Sequence, residues 1–431
     1  MRKVGYIRGW IGILGLLTYS WLWASPPEHY SESSPKNLSE CFDAALRQSE
    51  LISNQVELIY QAEERYKQAF GALLPNLTGT ANYLVQPTST TSLFPTNQPL
   101  VKVTATQPLF QGFKEFAAIR QNKSLAEAQK YSKWHATILL YSEVSQNFYS
   151  LLSLERDQKN VLEVLNLYDQ RISELSHFVN LGRSRESEIL TAKTQKEIYQ
   201  AQAEQIQMQL SILRETFHFL TGLSQKTLLQ DDETLPVKIP SRDTYVAELS
   251  NRPDVKSAEA TVRGAEANVT LAFGNHLPSV NVIGNYYFLR YGPQQNVDWD
   301  LQIGLVLPIF SGGITQSNVR IAESQKDQSS YTLSRIKRLA EQEIQSQYEN
   351  LAGDLKLVDA YTRVTTLAER TYKVQVQDYK NGLVNNIDVL QALTSFQENR
   401  RNLDRSRFSV KLDYAKIEAS VAHRPKYEGV L

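Results

Sequence analysis

The chain has 431 residues and its 46 basic side chains balance 46 acidic ones, so no polyanionic partner such as nucleic acid is implied. A single cysteine, Cys41, excludes an internal disulfide and a Cys-based zinc site. The six histidines, at 29, 135, 177, 218, 276 and 423, show no i, i+3 or i, i+4 pair. With no Gly-rich phosphate loop ahead of a helix either, no catalytic residue, cofactor or metal site is expected.

The N-terminus carries Arg2, Lys3 and Arg8 before an apolar run over 10–24, then Ser25, Pro26 and Pro27. This reads as an export signal over 1–25, because the run is shorter than the ~20 residues of a spanning helix. An uncleaved anchor is the alternative. Cys41 follows in the first helix, expected over about 39–72, as a small buried residue. Past the leader, no run of 18 apolar residues exists to span a bilayer as a helix.

At Pro75 the period changes to two. Leu77, Gly79, Ala81, Tyr83 and Val85 share one face, with Thr78, Thr80, Asn82 and Gln86 on the other. Val101, Val103 and Ala105 likewise oppose Lys102, Thr104 and Thr106, which predicts a β-hairpin over about 77–109 with a polar connector. From Gly112 to about Asn180 nothing breaks a helix, and roughly 70 residues make a rod of about 100 Å. Val161, Leu165, Tyr168, Ile172, Leu175 and Val179 step along it with coiled-coil spacing. Gly182 ends the rod, and a returning helix is expected over about 185–220.

A polar linker with Pro236 and Pro240 fills 223–242, and then the sequence repeats. Ala69-Phe70-Gly71 and Leu74-Pro75 return as Ala272-Phe273-Gly274 and Leu277-Pro278, an offset of 203 (272 minus 69). Pro108-Leu109-Phe110-Gln111-Gly112 returns as Pro308-Ile309-Phe310-Ser311-Gly312, an offset of 200 (308 minus 108). The second copy predicts a helix over 243–275, a hairpin over about 279–309, a long helix over 313–381 and a return over 386–421. Val280, Val282, Tyr286 and Phe288 alternate with Asn281 and Asn285. Trp299, Leu301, Ile303, Leu305, Leu307 and Ile309 alternate with Asp300, Gln302 and Gly304. Along the second long helix one stripe runs Leu351, Leu355, Val358, Thr362, Thr365, Tyr372, Val376 and Tyr379. A neighbouring stripe, Leu357, Tyr361, Val364 and Ala368, gives that helix two apolar sides, as a stave in a wall requires. The strand–helix breakers are Pro75, Pro108, Pro278 and Pro308.

Each predicted strand is about ten residues, the length that crosses a bilayer when tilted. Tyr83, Phe94, Tyr287, Tyr291 and Trp299 cluster toward strand ends, where interfacial aromatics belong. A soluble sheet with one wet face gives the same alternation. In a membrane, four strands cannot close a barrel, and open edges are costly in hydrocarbon. Three chains give twelve strands, so the expected fold is mixed and mainly α: a long antiparallel coiled-coil helical barrel plus a transmembrane β-barrel completed by trimerisation. The organisation expected is a signal at 1–25, a first repeat at 26–222, the linker, a second repeat at 243–422 and a tail at 423–431.

These motifs, duplicated and in order over about 38–422, resemble the TolC-like outer-membrane efflux proteins. The third carrier is Tyr379-Lys380-Asn381-Gly382-Leu383-Val384-Asn385-Asn386-Ile387-Asp388, continued by Val389, Leu390, Gln391 and Ala392, with a weaker twin from Leu181 to Ala192. The resemblance implies a homotrimeric duct in the outer membrane, its helices in the periplasm, working with a periplasmic adaptor and an inner-membrane transporter. It implies export of small molecules or secreted polypeptides, and hairpin tips near Gly182 and Gly382 that close the periplasmic mouth. Asp388 matches an acidic position lining that constriction; the companion position holds Gln391, and Glu186 and Glu188 are the nearest acids of the first copy. Asp388 serves equally as an N-terminal-turn carboxylate of the returning helix. The other functional reading is a non-channel periplasmic coiled-coil adaptor or spacer.

Overall fold

The computed structural model describes residues 34–87, 97–236, 239–292 and 294–425. The export-signal segment, Phe94 with most of the first strand connector, and the chain end beyond Pro425 lie outside the described residues. From Pro35 onward the chain forms one unit. Its helices and strands run α1 (Leu38–Gln48), α2 (Glu50–Gly71), β1 (Asn76–Val85), β2 (Asn97–Phe110), α3 (Lys114–Asn180) and α4 (Glu186–Thr221). They continue as α5 (Arg242–Ala247), α6 (Pro253–Phe273), β3 (Ser279–Arg290), β4 (Trp299–Val306), α7 (Ile314–Lys380) and α8 (Asn386–Ser420).

The long helices α3 and α7 have 67 residues each, about 100 Å. Backbone geometry fixes the register between the two copies. Left-handed residues occur at Gly112 and Gly312, Phe113 and Gly313, Gly182 and Gly382, and Gly222 and Ala422, every pair 200 apart. Turns of opposite hand to the helix thus fall at matched points, and these set where each rod begins and reverses.

Two expected helices are broken. Ser49, extended at φ −73° and ψ 109°, caps α2 through its hydroxyl and stops α1. In the second copy Pro253 starts α6 at its first turn, where the missing N–H costs nothing. Two proline readings also change. Pro108 does not end its strand; it lies inside β2, where a register shift between Pro108 and Phe110 absorbs the missing donor. Pro308 lies beyond β4, which stops at Val306 and leaves Leu307 and Ile309 outside the ladder. Pro75 and Pro278 each immediately precede a strand.

The sheet is antiparallel in the order β1-β2-β3-β4. Its register brings Gly79 against Val103, Val103 against Tyr286, and Tyr286 against Trp299, so the apolar residues of all four strands share one face. Leu77, Trp299, Leu301, Ile303 and Leu305 on that face are all more than 60% exposed. An apolar sheet face this open needs a cover other than this chain's own helices.

In the helical wall α3 packs against α2, α4, α6 and α8, whereas α7 meets α6 and α8. Twenty-one residues of α3 are buried but only six of the equally long α7. The α3 stripe is sealed at Val161, Tyr168 and Leu175, each 0% exposed. On the α7 stripe Leu351 is sealed at 0%, while Leu357 and Val364 of the neighbouring stripe stay exposed. One unit therefore has a packed centre at α3 and open edges at α7, α2 and α4.

The 228–233 stretch of the linker is strapped to this wall rather than loose. Lys36 N–H donates to Leu228 O at 2.8 Å and Gln230 N–H to Lys36 O at 2.9 Å, Lys411 bonds Asp231, and Arg424 pairs with Glu233 at 2.6 Å.

Candidate functional site

Three places carry the polar chemistry: one face of the sheet, the middle of the helical wall, and the hairpin tips. On the sheet, Lys102 Nζ and Thr104 Oγ1 both donate to Asn285 Oδ1, at 2.9 and 2.7 Å. Asn285 Nδ2 donates to Asp300 Oδ1 at 2.8 Å, and Tyr287 donates its hydroxyl to Asp300 Oδ2 at 2.8 Å. The network spans β2, β3 and β4 on the face opposite the apolar one. Tyr287, two residues beyond Asn285 and opposite Lys102, points to this same polar face.

Midway along the wall, α3 and α8 are joined by buried charge. Arg401 grips Asp157 with two parallel bonds of 2.5 and 2.9 Å, and Arg405 adds a third at 2.6 Å. Asp404 receives Arg156 at 3.0 Å and Asn160 at 2.9 Å. Burial alone would raise the Asp157 carboxyl, but Arg401 and Arg405 outweigh it and hold the group below its ordinary value. Nearer the C-terminal end of α8 the balance reverses at Asp413. Burial first, then the charge of Asp354, push its carboxyl up to about 6 against a weaker pull from Lys416.

That shift predicts a pH effect. The folded value lies above the ordinary 3.8, so the folded chain binds this proton more tightly than the unfolded one. Stability therefore falls as pH rises between these two values and the penalty is complete above them. Asp413→Asn is expected to raise the melting temperature at pH 7 and leave it little changed at pH 4, as thermal unfolding at the two pH values would read.

At the tips the two turns are built alike. Arg183 N–H donates to Phe178 O at 2.8 Å and Gly182 N–H to Val179 O at 2.9 Å. Leu383 and Gly382 repeat this to Asp378 and Tyr379, at 2.9 and 3.0 Å. This is a Schellman reversal, which needs a left-handed residue after the helix; Gly182 and Gly382 supply it at φ 69° and 78°. A Cβ at either glycine would meet nothing within 4 Å, so conformation, not space, requires glycine there.

The acids of the tips have distinct surroundings. Asp388 accepts from Asn385 N–H at 2.9 Å and completes a capping box at the start of α8. Glu186 and Gln391 are exposed. Glu188, the counterpart of Asp388 at offset 200, accepts from Ser184 at 2.8 Å and from the Tyr379 hydroxyl at 2.9 Å. The position equivalent to Tyr379 in the first copy is Val179, which has no hydroxyl to offer Asp388.

Tyr379 thus ties α7 to α4 beside α3. Its ring lies 6.1 Å from that of Phe178, with the Arg171 guanidinium 4.0 Å from its centroid. Arg171 is buried and donates to Asn386 Oδ1 at 2.9 Å, drawing in α8. Burial, reinforced by the Glu188 carboxylate and eased by Ser184, raises the Tyr379 phenol, which stays protonated and able to donate. Sequence reasoning missed Arg171, and it placed Tyr379 and Asn386 only in the repeated motif, with Tyr379 also in the apolar stripe of α7. The available signal was Arg171 itself, a charge in the stepped row Val164, Tyr168, Arg171 and Leu175 that is otherwise sealed.

Comparison with known proteins agrees with this architecture. Residues 244–423 match the outer membrane efflux protein family. The chain is 23% identical to the probable outer membrane lipoprotein SilC of Salmonella typhimurium, over 64% of this chain and 63% of SilC. It is 24% identical to the cation efflux system protein CusC of Escherichia coli K12, over 67% of this chain and 66% of CusC. The match thus spans just under two thirds of each of those relatives. TolC of Vibrio cholerae is 19% identical over 90% of both chains. Among solved structures, CusC superposes with a TM-score of 0.79 at 18% identity, covering 89% of this chain and 91% of that one. The second copy thus carries the match to the outer membrane efflux protein family, and the chain as a whole has the fold of the solved outer-membrane channels.

Proposed function

We propose that three copies of this chain form an exit duct across the outer membrane, through which an inner-membrane transporter and a periplasmic adaptor expel small molecules or secreted polypeptides. As in the family its second copy matches, the chain lies in the outer membrane with its helices extending into the periplasm. The observation that carries the reading is the sheet: one face apolar, one face polar, and two edge strands, β1 and β4, with unpaired backbone. Hydrocarbon tolerates no such edge, so the sheet must be closed by others like it. Twelve strands enclose a wider lumen than the eight-stranded barrels whose interiors side chains fill, and the Lys102, Asn285 and Asp300 face would line it.

The tips supply closure. Tyr379, Glu188, Arg171 and Asn386 bind the four helix ends of one chain together, and three such bundles would narrow the mouth. Asp388 stands at the start of α8, where three carboxylates would favour cations over anions. An adaptor docking on the tips would open them by breaking these ties.

The test is the purified protein in planar bilayers. A pore-forming species that runs as a heat-sensitive trimer after detergent extraction is expected. A soluble protein with no conductance would return the chain to the adaptor or spacer reading.

A further inference from the structure

The start of α6 carries an arginine that the helix does not need. Arg252 corresponds to Ser49 at the offset of 203 (252 minus 49), and α6 and α2 begin at matched residues, Pro253 and Glu50. In the first copy the serine hydroxyl suffices as the cap. Asp254 likewise stands where the first copy has Leu51, which is exposed. The second copy thus holds a buried ion pair that the helix break alone does not call for.

Arg252 is 4% exposed. Its Nε and Nη2 donate to the two carboxylate oxygens of Asp254 at 3.0 and 2.9 Å, and Nη2 donates again to Glu343 on α7 at 2.8 Å. Nη1 is buried, and no oxygen of the described residues meets it. A guanidinium N–H taken out of water without an acceptor is costly, so this one calls for an oxygen from elsewhere.

Arg252 lines a cavity of about 550 Å³ bounded by α3, α6 and α7 of one chain, a size typical of small-molecule sites. The hydroxyls around it are already committed. Ser132 Oγ lies 2.9 Å from Ser257 Oγ, which donates to Ala128 O at 2.9 Å. Thr261, Ser329 and Thr332 each donate to a carbonyl of their own helix. Ala258, Ile336 and Leu339 add apolar surface. The lining therefore offers a ligand apolar contact and one uncommitted buried donor, Arg252 Nη1.

Charge narrows the ligand further. Two carboxylates already face one guanidinium. Burial alone would raise the Asp254 carboxyl, but Arg252, helped by His135, outweighs it and holds the group below its ordinary value. No positive charge is left over for a carboxylate or a phosphate, and a carbonyl oxygen needs none.

We infer that this cavity binds a neutral, largely apolar small molecule whose carbonyl oxygen accepts from Arg252 Nη1. The site lies within one chain, so it goes beyond the duct and stands or falls apart from it.

Benzophenone tests it, being neutral and apolar, with one carbonyl that attaches to nearby C–H groups on illumination. On the full-length protein in amphipol, saturable attachment within 252–261 and 328–340 is expected, read by peptide mass mapping. Fluorenone should compete about tenfold better than fluorene, which has the same shape without the oxygen. Ala258→Leu, at a half-buried position in the lining, should abolish saturable attachment and leave the melting temperature little changed. Attachment that does not saturate, or that spreads evenly along the helices, means that water alone meets Nη1 and overturns the site. Equal competition by fluorene and fluorenone, or unchanged attachment in a folded Ala258→Leu, overturns it as well. If Ala258→Leu does not fold, the competition on the unaltered chain decides alone.

Discussion

Asp157→Ala is expected to destabilise the folded chain by about 3–5 kcal/mol, the usual cost of stranding a buried charge by removing its partner. Asp157 is 2% exposed and Arg401 holds it with both ends of the guanidinium, so the deletion leaves Arg401 in a site from which water is largely excluded. Arg405 is about half exposed and can turn to solvent, so it adds little to the loss. Equilibrium unfolding of the detergent-solubilised protein would measure this, and a change under 1 kcal/mol would show that the cluster is decorative. The same ion pair has a pH signature. The folded Asp157 carboxyl titrates below its ordinary value, so its contribution is present above the unfolded value and is lost as pH falls through the folded one. A double variant, Asp157→Leu with Arg401→Ala, copies the residues that stand 200 positions away in the other copy, Leu357 and Ala201. It is expected to recover most of the stability, since apolar contact replaces charge on both sides at once.

This cluster also shows where sequence reasoning stops. The long helices, their reversal points and the two-faced strands were legible because each rests on a local rule: the stepped stripe from Val161 to Val179, the left-handed glycines at 182 and 382, the alternation from Leu77 to Val85. Which face of each rod meets which neighbour is not local. Asp157 and Arg401 are 244 residues apart, and alone each looks like one more charge on a solvated helix. Pro108 misled for a related reason, because a strand end and a bulge within a strand have the same residue chemistry and differ only in what pairs alongside. The break at Ser49 could have been seen, since a serine at a helix start is a cap, but the apolar pattern on both sides of it carries straight through. At the tips the sequence offered Asp388, with Glu186 and Glu188 as the nearest acids of the first copy. The hydroxyl of Tyr379, opposite Val179 in the other copy, makes Asp388 and Glu188 unequal, and that inequality exists only once α7 is laid beside α4.

Opening the duct is expected to follow from that one hydroxyl. Tyr379→Phe keeps the ring beside Phe178 and under Arg171, so packing is conserved, and it removes only the bond to Glu188. A hydrogen bond to a charged acceptor is worth about 1.5–3 kcal/mol, and about 1.4 kcal/mol is tenfold in an equilibrium. Each latch removed should therefore shift the balance from closed to open tips by about tenfold or more, and a trimer has three. Higher single-channel conductance in planar bilayers is the expected readout. Cells carrying the variant should also admit large antibiotics that the outer membrane otherwise excludes. Glu188→Gln tests the same bond from the other side: it retains an acceptor but loses the charge, and should fall between Tyr379→Phe and the unaltered chain. Gly382→Val is not a substitute, because it disturbs the reversal itself through its positive φ and so mixes folding with gating. Conductance unchanged in Tyr379→Phe would mean that the tie between α7 and α4 only steadies the tip, and closure would then have to come from contacts between chains, with Asp388 the first residue to examine.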